Sequence, residues 1–169
     1  TSAGDAEIID GIVIPGMPNL HSHSFQRAMV GMSEYSQSEN DDFWSWRKLM
    51  YQCVNRINPD QLQAITAQLY LEMLKAGYTS VAEFHYLHHD DKGLPYAHIS
   101  ELGERLISAA KTAGIHITLI PIFYQKGGFG VEPNERQKMF ISPSVDDYMK
   151  LLDASQAVCK HYNGANIAI

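Results

Sequence analysis

Two histidines stand two residues apart in Pro18-Asn19-Leu20-His21-Ser22-His23. On an extended strand, side chains two apart point to the same side. His21 and His23 can therefore aim two imidazoles at one point, and neutral imidazole is a good ligand for zinc. The bland alternative is two surface histidines in a loop. Their setting argues for metal, because the pair closes an apolar stretch that runs through Ile12-Val13-Ile14 and Pro15-Gly16-Met17-Pro18. Barrel active sites sit at the C-terminal ends of strands. A metal held there lowers the pKa of a bound water and makes hydroxide available near neutral pH.

The chain has eight histidines. His85, His88 and His89 cluster after a second apolar run; they read equally well as supporting or surface residues and are not assigned to metal. His116 falls at the start of a third run, the wrong end for such a site. His98 and His161 read as helix residues without a role. Glu83 reads as a buried carboxylate near an arginine or histidine. Trp44 and Trp46 read as core or loop anchors ahead of ligand contacts. Gly127-Gly128-Phe129-Gly130 lacks the lysine and the spacing of a phosphate loop, and reads as a flexible rim loop.

These residues need elements to position them. Apolar runs at residues 8–20, 78–84, 115–124 and 165–169 predict four strands. A helix is predicted over 59–76, with Asn58 as N-cap, Pro59 at the first position and Gly77 after the end. Its apolar stripe is Leu62, Ile65, Leu69 and Met73. A second helix is predicted over 98–113, with Leu102, Leu106, Ala109 and Ala113 inward and Gly114 as terminator. A third spans 145–162, between Ser144 and Asn163-Gly164. Residues 24–57 form a long insertion after the first strand, the kind of segment that carries function. The alternation predicts an α/β fold of about four parallel strands and three helices. Periodicity leaves open a doubly wound sheet and half of a (β/α)8 barrel. The histidine pair tips the reading toward the barrel.

Composition bounds the rest. The chain has 169 residues, 45% hydrophobic and 19% charged, as expected of one soluble domain. No apolar run reaches the length of a membrane span, and the first ten residues lack a signal-peptide pattern. A net charge of −6 offers no basic field for nucleic acid. An anionic substrate would need a local arginine or lysine. Cys53 and Cys159 are far apart and form no CxxC pair, so a reducing, cytoplasmic setting is expected.

The stretch Pro15-Gly16-Met17-Pro18-Asn19-Leu20-His21-Ser22-His23 resembles the first-strand motif of the amidohydrolase superfamily. Three more motifs resemble its formimidoylglutamate deiminase family: Ser24-Phe25-Gln26-Arg27-Ala28-Met29, Phe43-Trp44-Ser45-Trp46-Arg47 and Glu83-Phe84-His85-Tyr86-Leu87-His88-His89. The likeness runs the whole length of the chain. It implies that residues 1–169 are the first half of a (β/α)8 amidohydrolase barrel, a partial metal-dependent hydrolase domain. It implies one zinc ion, although iron or manganese could occupy similar ligands. It implies His21 and His23 as metal ligands, and Gln26, Arg47 and Tyr86 as substrate contacts. The family reaction turns N-formimino-L-glutamate and water into N-formyl-L-glutamate and ammonia, in histidine degradation. The chemistry agrees. Arg47 offers a planar fork to one of two substrate carboxylates, Tyr86 offers a hydroxyl donor, and Gln26 offers both a donor and an acceptor.

A catalytic zinc usually has three or more protein ligands. In the family, the further ligands and the proton-shuttling residues come from later strands. The chain therefore reads as an N-terminal fragment with no catalytic residue of its own, expected to bind zinc poorly and not to catalyse alone. The family's small-domain strands are missing, apart from residues 5–9. The expected partners are a small-molecule substrate, with no nucleic acid and no membrane, and the resemblance suggests a homodimer. Two other readings stand beside this one. Another amidohydrolase, a nucleobase deaminase or a chlorohydrolase, would share the histidine pair but need no carboxylate clamp. A non-catalytic α/β binding domain would bind no metal.

Overall fold

The computed structural model describes residues 9–35 and 42–169. Four strands form one parallel sheet in the order β1-β2-β3-β4: β1 Met17–Ser22, β2 Tyr78–His85, β3 His116–Pro121 and β4 Ala165–Ile167. Each strand pairs with the next in sequence. A doubly wound sheet reverses its strand order at a switch point, whereas a barrel adds strands in one direction. The order here is that of consecutive strands in the first half of a (β/α)8 barrel.

Among the described residues four α-helices connect the strands, one more than the three expected. The additional helix, α1 Phe43–Val54, lies inside the segment read as an insertion. Asp42 starts it with a capping box: its side chain accepts from the Ser45 N–H, and the Ser45 hydroxyl oxygen accepts from the Asp42 N–H. Such a cap is worth about 1 kcal/mol. A short 3-10 helix, Ser24–Met29, precedes it. Arg27 of that turn makes a two-pronged ion pair with Glu72, at 2.7 and 2.8 Å.

The helix α2 Pro59–Lys75 has the predicted caps: Asn58 accepts from the Gln61 N–H, Pro59 opens the helix, and Gly77 follows with φ of 91°. Its buried face is rotated from the expected stripe. Leu62, Thr66, Tyr70 and Met73 are buried, while Ile65 and Leu69 are half-buried. Thr66 and Tyr70 turn inward because buried polar groups on the sheet side await them. The third helix, α3 Glu101–Ala113, starts three residues later than predicted, and His98 lies in an exposed bend before it. The fourth, α4 Val145–Cys159, ends before His161 and Tyr162.

The first strand is displaced from its expected centre. Ile12, Val13 and Ile14 are 96%, 71% and 75% exposed and join no strand among the described residues. Pairing begins where the Met17 N–H meets the Gly77 carbonyl. A Cβ at Gly16 would overlap the Thr79 side chain, so glycine is required at this entry. The core lies between helices and sheet, where Val81, Leu102, Leu106, Ile117 and Leu119 are buried. Each such side chain contributes roughly 1.5–3 kcal/mol. No helix among the described residues is long and apolar enough to cross a membrane. The candidate strand at residues 5–9 lies, but for Ile9, outside the described residues.

Candidate active site

His21 and His23 sit at the C-terminal end of β1, against the end of β2. Their Nε2 atoms approach to 3.0 Å. On a tetrahedral zinc with bonds of about 2.0–2.1 Å, two nitrogens stand about 3.3 Å apart. The pair therefore fits adjacent corners of such a site. The His21 ring stacks on Phe84, with centroids 4.3 Å apart. The His23 Nδ1 lies 2.9 Å from the Phe84 carbonyl oxygen. A carbonyl can only accept, so Nδ1 carries the proton and Nε2 presents its lone pair, the tautomer a metal needs. Burial lowers the His23 pKa; the Phe84 carbonyl opposes this, and nearby His21 adds to it. Among the described residues no group of three or more His, Cys, Asp or Glu side chains assembles around one point. Two imidazoles are fewer than the three or more protein ligands a catalytic zinc usually has.

Beneath this turn lies Glu83, 2% exposed, on the helix-facing side of β2. Its Oε1 accepts the Ser24 N–H at 2.6 Å and its Oε2 the Tyr70 hydroxyl at 3.0 Å. The Ser24 hydroxyl is 2.9 Å from that of Thr66. Burial raises the Glu83 pKa, and the donors from Ser24, Ser22 and Tyr70 oppose it. The expected arginine or histidine partner is replaced by an amide and hydroxyls. The residue after His23 is thus fastened to the barrel wall. Glu83→Ala leaves two buried donors without an acceptor and is expected to cost about 2–5 kcal/mol. Urea midpoints check this, and Glu83→Gln, which keeps one acceptor, should recover part of the loss.

A cavity of about 380 Å³ opens beside His23. Gln26, Arg47 and Tyr86 line it together, with Tyr51 and Tyr124. Phe43, Trp46 and Phe140 supply apolar wall. Its size suits a small molecule. His21 is not part of this wall. Trp44 points elsewhere and is 64% exposed.

The residues reach the cavity from different elements. Gln26 comes from the 3-10 helix and lies 3.5 Å from the Tyr86 hydroxyl, a long contact. Burial pushes the Tyr86 pKa up to about 12, so the phenol stays protonated and able to donate. Arg47 comes from α1. Its Nε donates to the Tyr51 hydroxyl at 2.7 Å, and its Nη2 reaches the Tyr124 hydroxyl at 3.3 Å and the Gly127 carbonyl at 3.4 Å. Its carbon also lies over the Trp44 and Tyr51 rings, 5.6 and 5.3 Å from the centroids. Among the described residues Nη1 has no protein acceptor, which leaves one edge of the fork for a ligand. Burial opposes the Arg47 charge, but Tyr51 and Tyr124 outweigh it and raise the pKa. Among the described residues no carboxylate pairs with the guanidinium.

Three residues of this site escape a sequence reading. Tyr51, Tyr124 and Gln137 meet around Arg47 from separations of up to 86 residues. Only Arg47 and Tyr51 carry a local signal, the four-residue spacing of one helix face. The loop with Gly127 joins them through its carbonyl, while Phe129 at its tip is fully exposed.

His85 and His88 point away from the cavity and are buried. The His88 Nε2 lies 3.1 Å from the Ile122 carbonyl, and its Nδ1 has no partner. Its ring centroid is 5.1 Å from that of His85 and 6.5 Å from that of His89. Burial lowers the His88 pKa to about 4; the Ile122 carbonyl opposes this, and His89 adds to it. Unfolded histidine titrates near pH 6.5. Between pH 6.5 and about 4 the unfolded chain therefore binds a proton the folded one refuses, and stability falls as pH falls. His88→Gln keeps an N–H for Ile122 without a titrating ring. Wild-type stability is expected to drop by about 3 kcal/mol relative to this variant over that range, read from urea midpoints at each pH. Parallel curves would refute the buried neutral ring.

Comparison with known proteins agrees with this architecture. The chain is 53% identical over 157 residues to formimidoylglutamate deiminase of Pseudomonas aeruginosa, covering 92% of this chain and 34% of that protein. It is 30% identical over 76 residues to 8-oxoguanine deaminase of the same organism, covering 45% of this chain and 16% of that one. Among solved structures, an amidohydrolase from Brucella melitensis superposes with a TM-score of 0.86 at 43% identity, over 92% of this chain and 35% of that chain. An atrazine chlorohydrolase from Arthrobacter aurescens TC1, solved with zinc, shares the fold with a TM-score of 0.58 at 23% identity, over 92% and 34%. The chain spans about a third of the length of the two solved structures and of the deiminase. The sequence pattern of the amidohydrolase family matches residues 12–158, and the chain belongs to that family.

Proposed function

We propose that these residues are part of a zinc-dependent hydrolase domain that deiminates N-formimino-L-glutamate, giving N-formyl-L-glutamate and ammonia in histidine breakdown. The observation that carries the reading is one cavity walled by His23, Gln26, Arg47 and Tyr86. Identity of 53% to a formimidoylglutamate deiminase supports the substrate. His21 and His23 would hold the zinc through Nε2. When bound, the zinc supplies an activated water.

The chain's own residues bind and orient the substrate. Arg47 pairs with a carboxylate of the substrate. The protonated Tyr86 hydroxyl donates to an acceptor of the substrate, and Gln26 offers a second polar contact. Phe43, Trp46 and Phe140 give these contacts apolar neighbours. A planar neutral base would leave Arg47 without a counter-charge in this wall, which favours an acidic substrate over a nucleobase.

Ammonia release by the full-length, zinc-loaded protein tests the reading. Release from N-formimino-L-glutamate, with little from guanine or cytosine, supports it. Release from a nucleobase alone would replace it.

A further inference from the structure

Arg47 does not face the cavity alone. Tyr51 lines the cavity from one helical turn further along α1, and Tyr124 lines it from the segment after β3. The Tyr51 hydroxyl oxygen lies 2.7 Å from Arg47 Nε and 3.1 Å from Gln137 Nε2. The Tyr124 hydroxyl oxygen lies 3.3 Å from Arg47 Nη2 and 2.9 Å from Gln137 Nε2. Gln137 is fully buried. Its orientation is settled, because Oε1 accepts the Asn134 N–H at 2.9 Å and only Nε2 faces the phenols.

A phenol has one proton to give and lone pairs to accept with. Guanidinium and amide N–H groups only donate. Each hydroxyl therefore accepts from its neighbours, and its own proton finds no acceptor among the described residues. Burial pushes the Tyr51 pKa up, which keeps that proton on the oxygen. A hydroxyl that accepts from a cation is also a stronger donor.

We propose that Tyr51 and Tyr124 donate their hydroxyl protons to the same carboxylate that Arg47 binds, so that two phenols and one guanidinium form a single anion cradle whose shape Gln137 sets. The inference rests on the reading of Arg47 as a carboxylate clamp and names the residues that make the clamp specific. The ligand class is an organic carboxylate, with the glutamate side of the substrate as its natural occupant.

Phenylalanine at either position removes the hydroxyl and keeps the ring. Gln137 Nε2 has two protons and three oxygens in reach, the third being the Gly127 carbonyl at 3.2 Å. Losing one phenol oxygen leaves it satisfied, so Tyr51→Phe and Tyr124→Phe should each fold.

The test is calorimetric titration of the full-length, zinc-loaded protein with glutarate, a dicarboxylate lacking the formimino group. Each variant is expected to weaken glutarate binding about tenfold or more. Binding of the neutral diamide of glutarate should not change. With N-formimino-L-glutamate, KM should rise by a similar factor while kcat stays within about threefold. Unchanged glutarate binding in both variants would overturn the cradle, as would an equal loss for the diamide or no binding to wild type. If glutarate binding falls in both variants but N-formimino-L-glutamate releases no ammonia, the deiminase reading fails and the cradle stands. If ammonia is released and Arg47→Met raises KM while both phenylalanine variants behave as wild type, the cradle alone fails.

Discussion

Arg47→Met is expected to raise KM for N-formimino-L-glutamate by about 100-fold or more, measured on the full-length enzyme. Among the described residues the guanidinium is the one charge in the cavity wall, and it is held by oxygens that carry no charge of their own. Truncating one member of a shielded charge pair costs about 2–5 kcal/mol, largely because the other charge loses its partner. Methionine fills a similar volume, so the wall stays closed. Its effect should fall on binding, with kcat changing far less, since Arg47 has no contact with the histidine pair. A neutral base tried as substrate should be nearly indifferent to the change. An unchanged KM for the acidic substrate would remove the clamp from the mechanism and return the nucleobase reading to first place.

His21→Ala and His23→Ala are each expected to strip zinc from the full-length protein and to abolish turnover with it. Loss of an outer partner of a metal ligand already costs about 10–100-fold in metal affinity, and loss of a ligand itself should exceed that. The expectation rests on two Nε2 atoms 3.0 Å apart and on the Phe84 carbonyl that fixes the His23 tautomer. Elemental analysis after dialysis against a chelator gives the readout. His88→Gln is the control, because that ring lies outside the cavity wall and bonds to Ile122. Equal zinc in all three variants would exclude the pair as ligands. Zinc lost from His88→Gln alone would move the site to the buried cluster.

The legible parts of the fold are those set by local rules. The caps of α2 at Asn58, Pro59 and Gly77, and the β-branched runs of β2 and β3, follow from adjacent residues. The first strand does not, because a strand is defined by its partner. Ile12-Val13-Ile14 has the right composition but no strand partner among the described residues, while Met17–Ser22 includes a proline and an asparagine yet pairs with β2. The α1 helix hides in a mixed sequence whose best mark is the Asp42–Ser45 box. The buried face of α2 is misread for a related reason: Thr66 and Tyr70 go inward to meet Ser24 and Glu83, partners fixed only by tertiary packing.

The candidate site divides in the same way. Gln26, Arg47 and Tyr86 enter through motif resemblance, and the cavity brings them to one wall with His23. Tyr51 and Tyr124 carry no motif of their own, and Gln137 acts on the site through them without joining the wall. Their relation to Arg47 exists only once α1, the segment after β3 and the 3-10 helix Glu135–Phe140 have come together.

The one-directional strand order bears on when the histidine pair takes shape during synthesis. β2 emerges after β1 and pairs directly with it, so the Phe84 carbonyl meets His23 once the chain through His85 has left the ribosome. The anion side ripens later, because Tyr124 and Gln137 follow β3. A nascent chain paused between these points would already orient the His23 imidazole while its arginine still lacked half of its support.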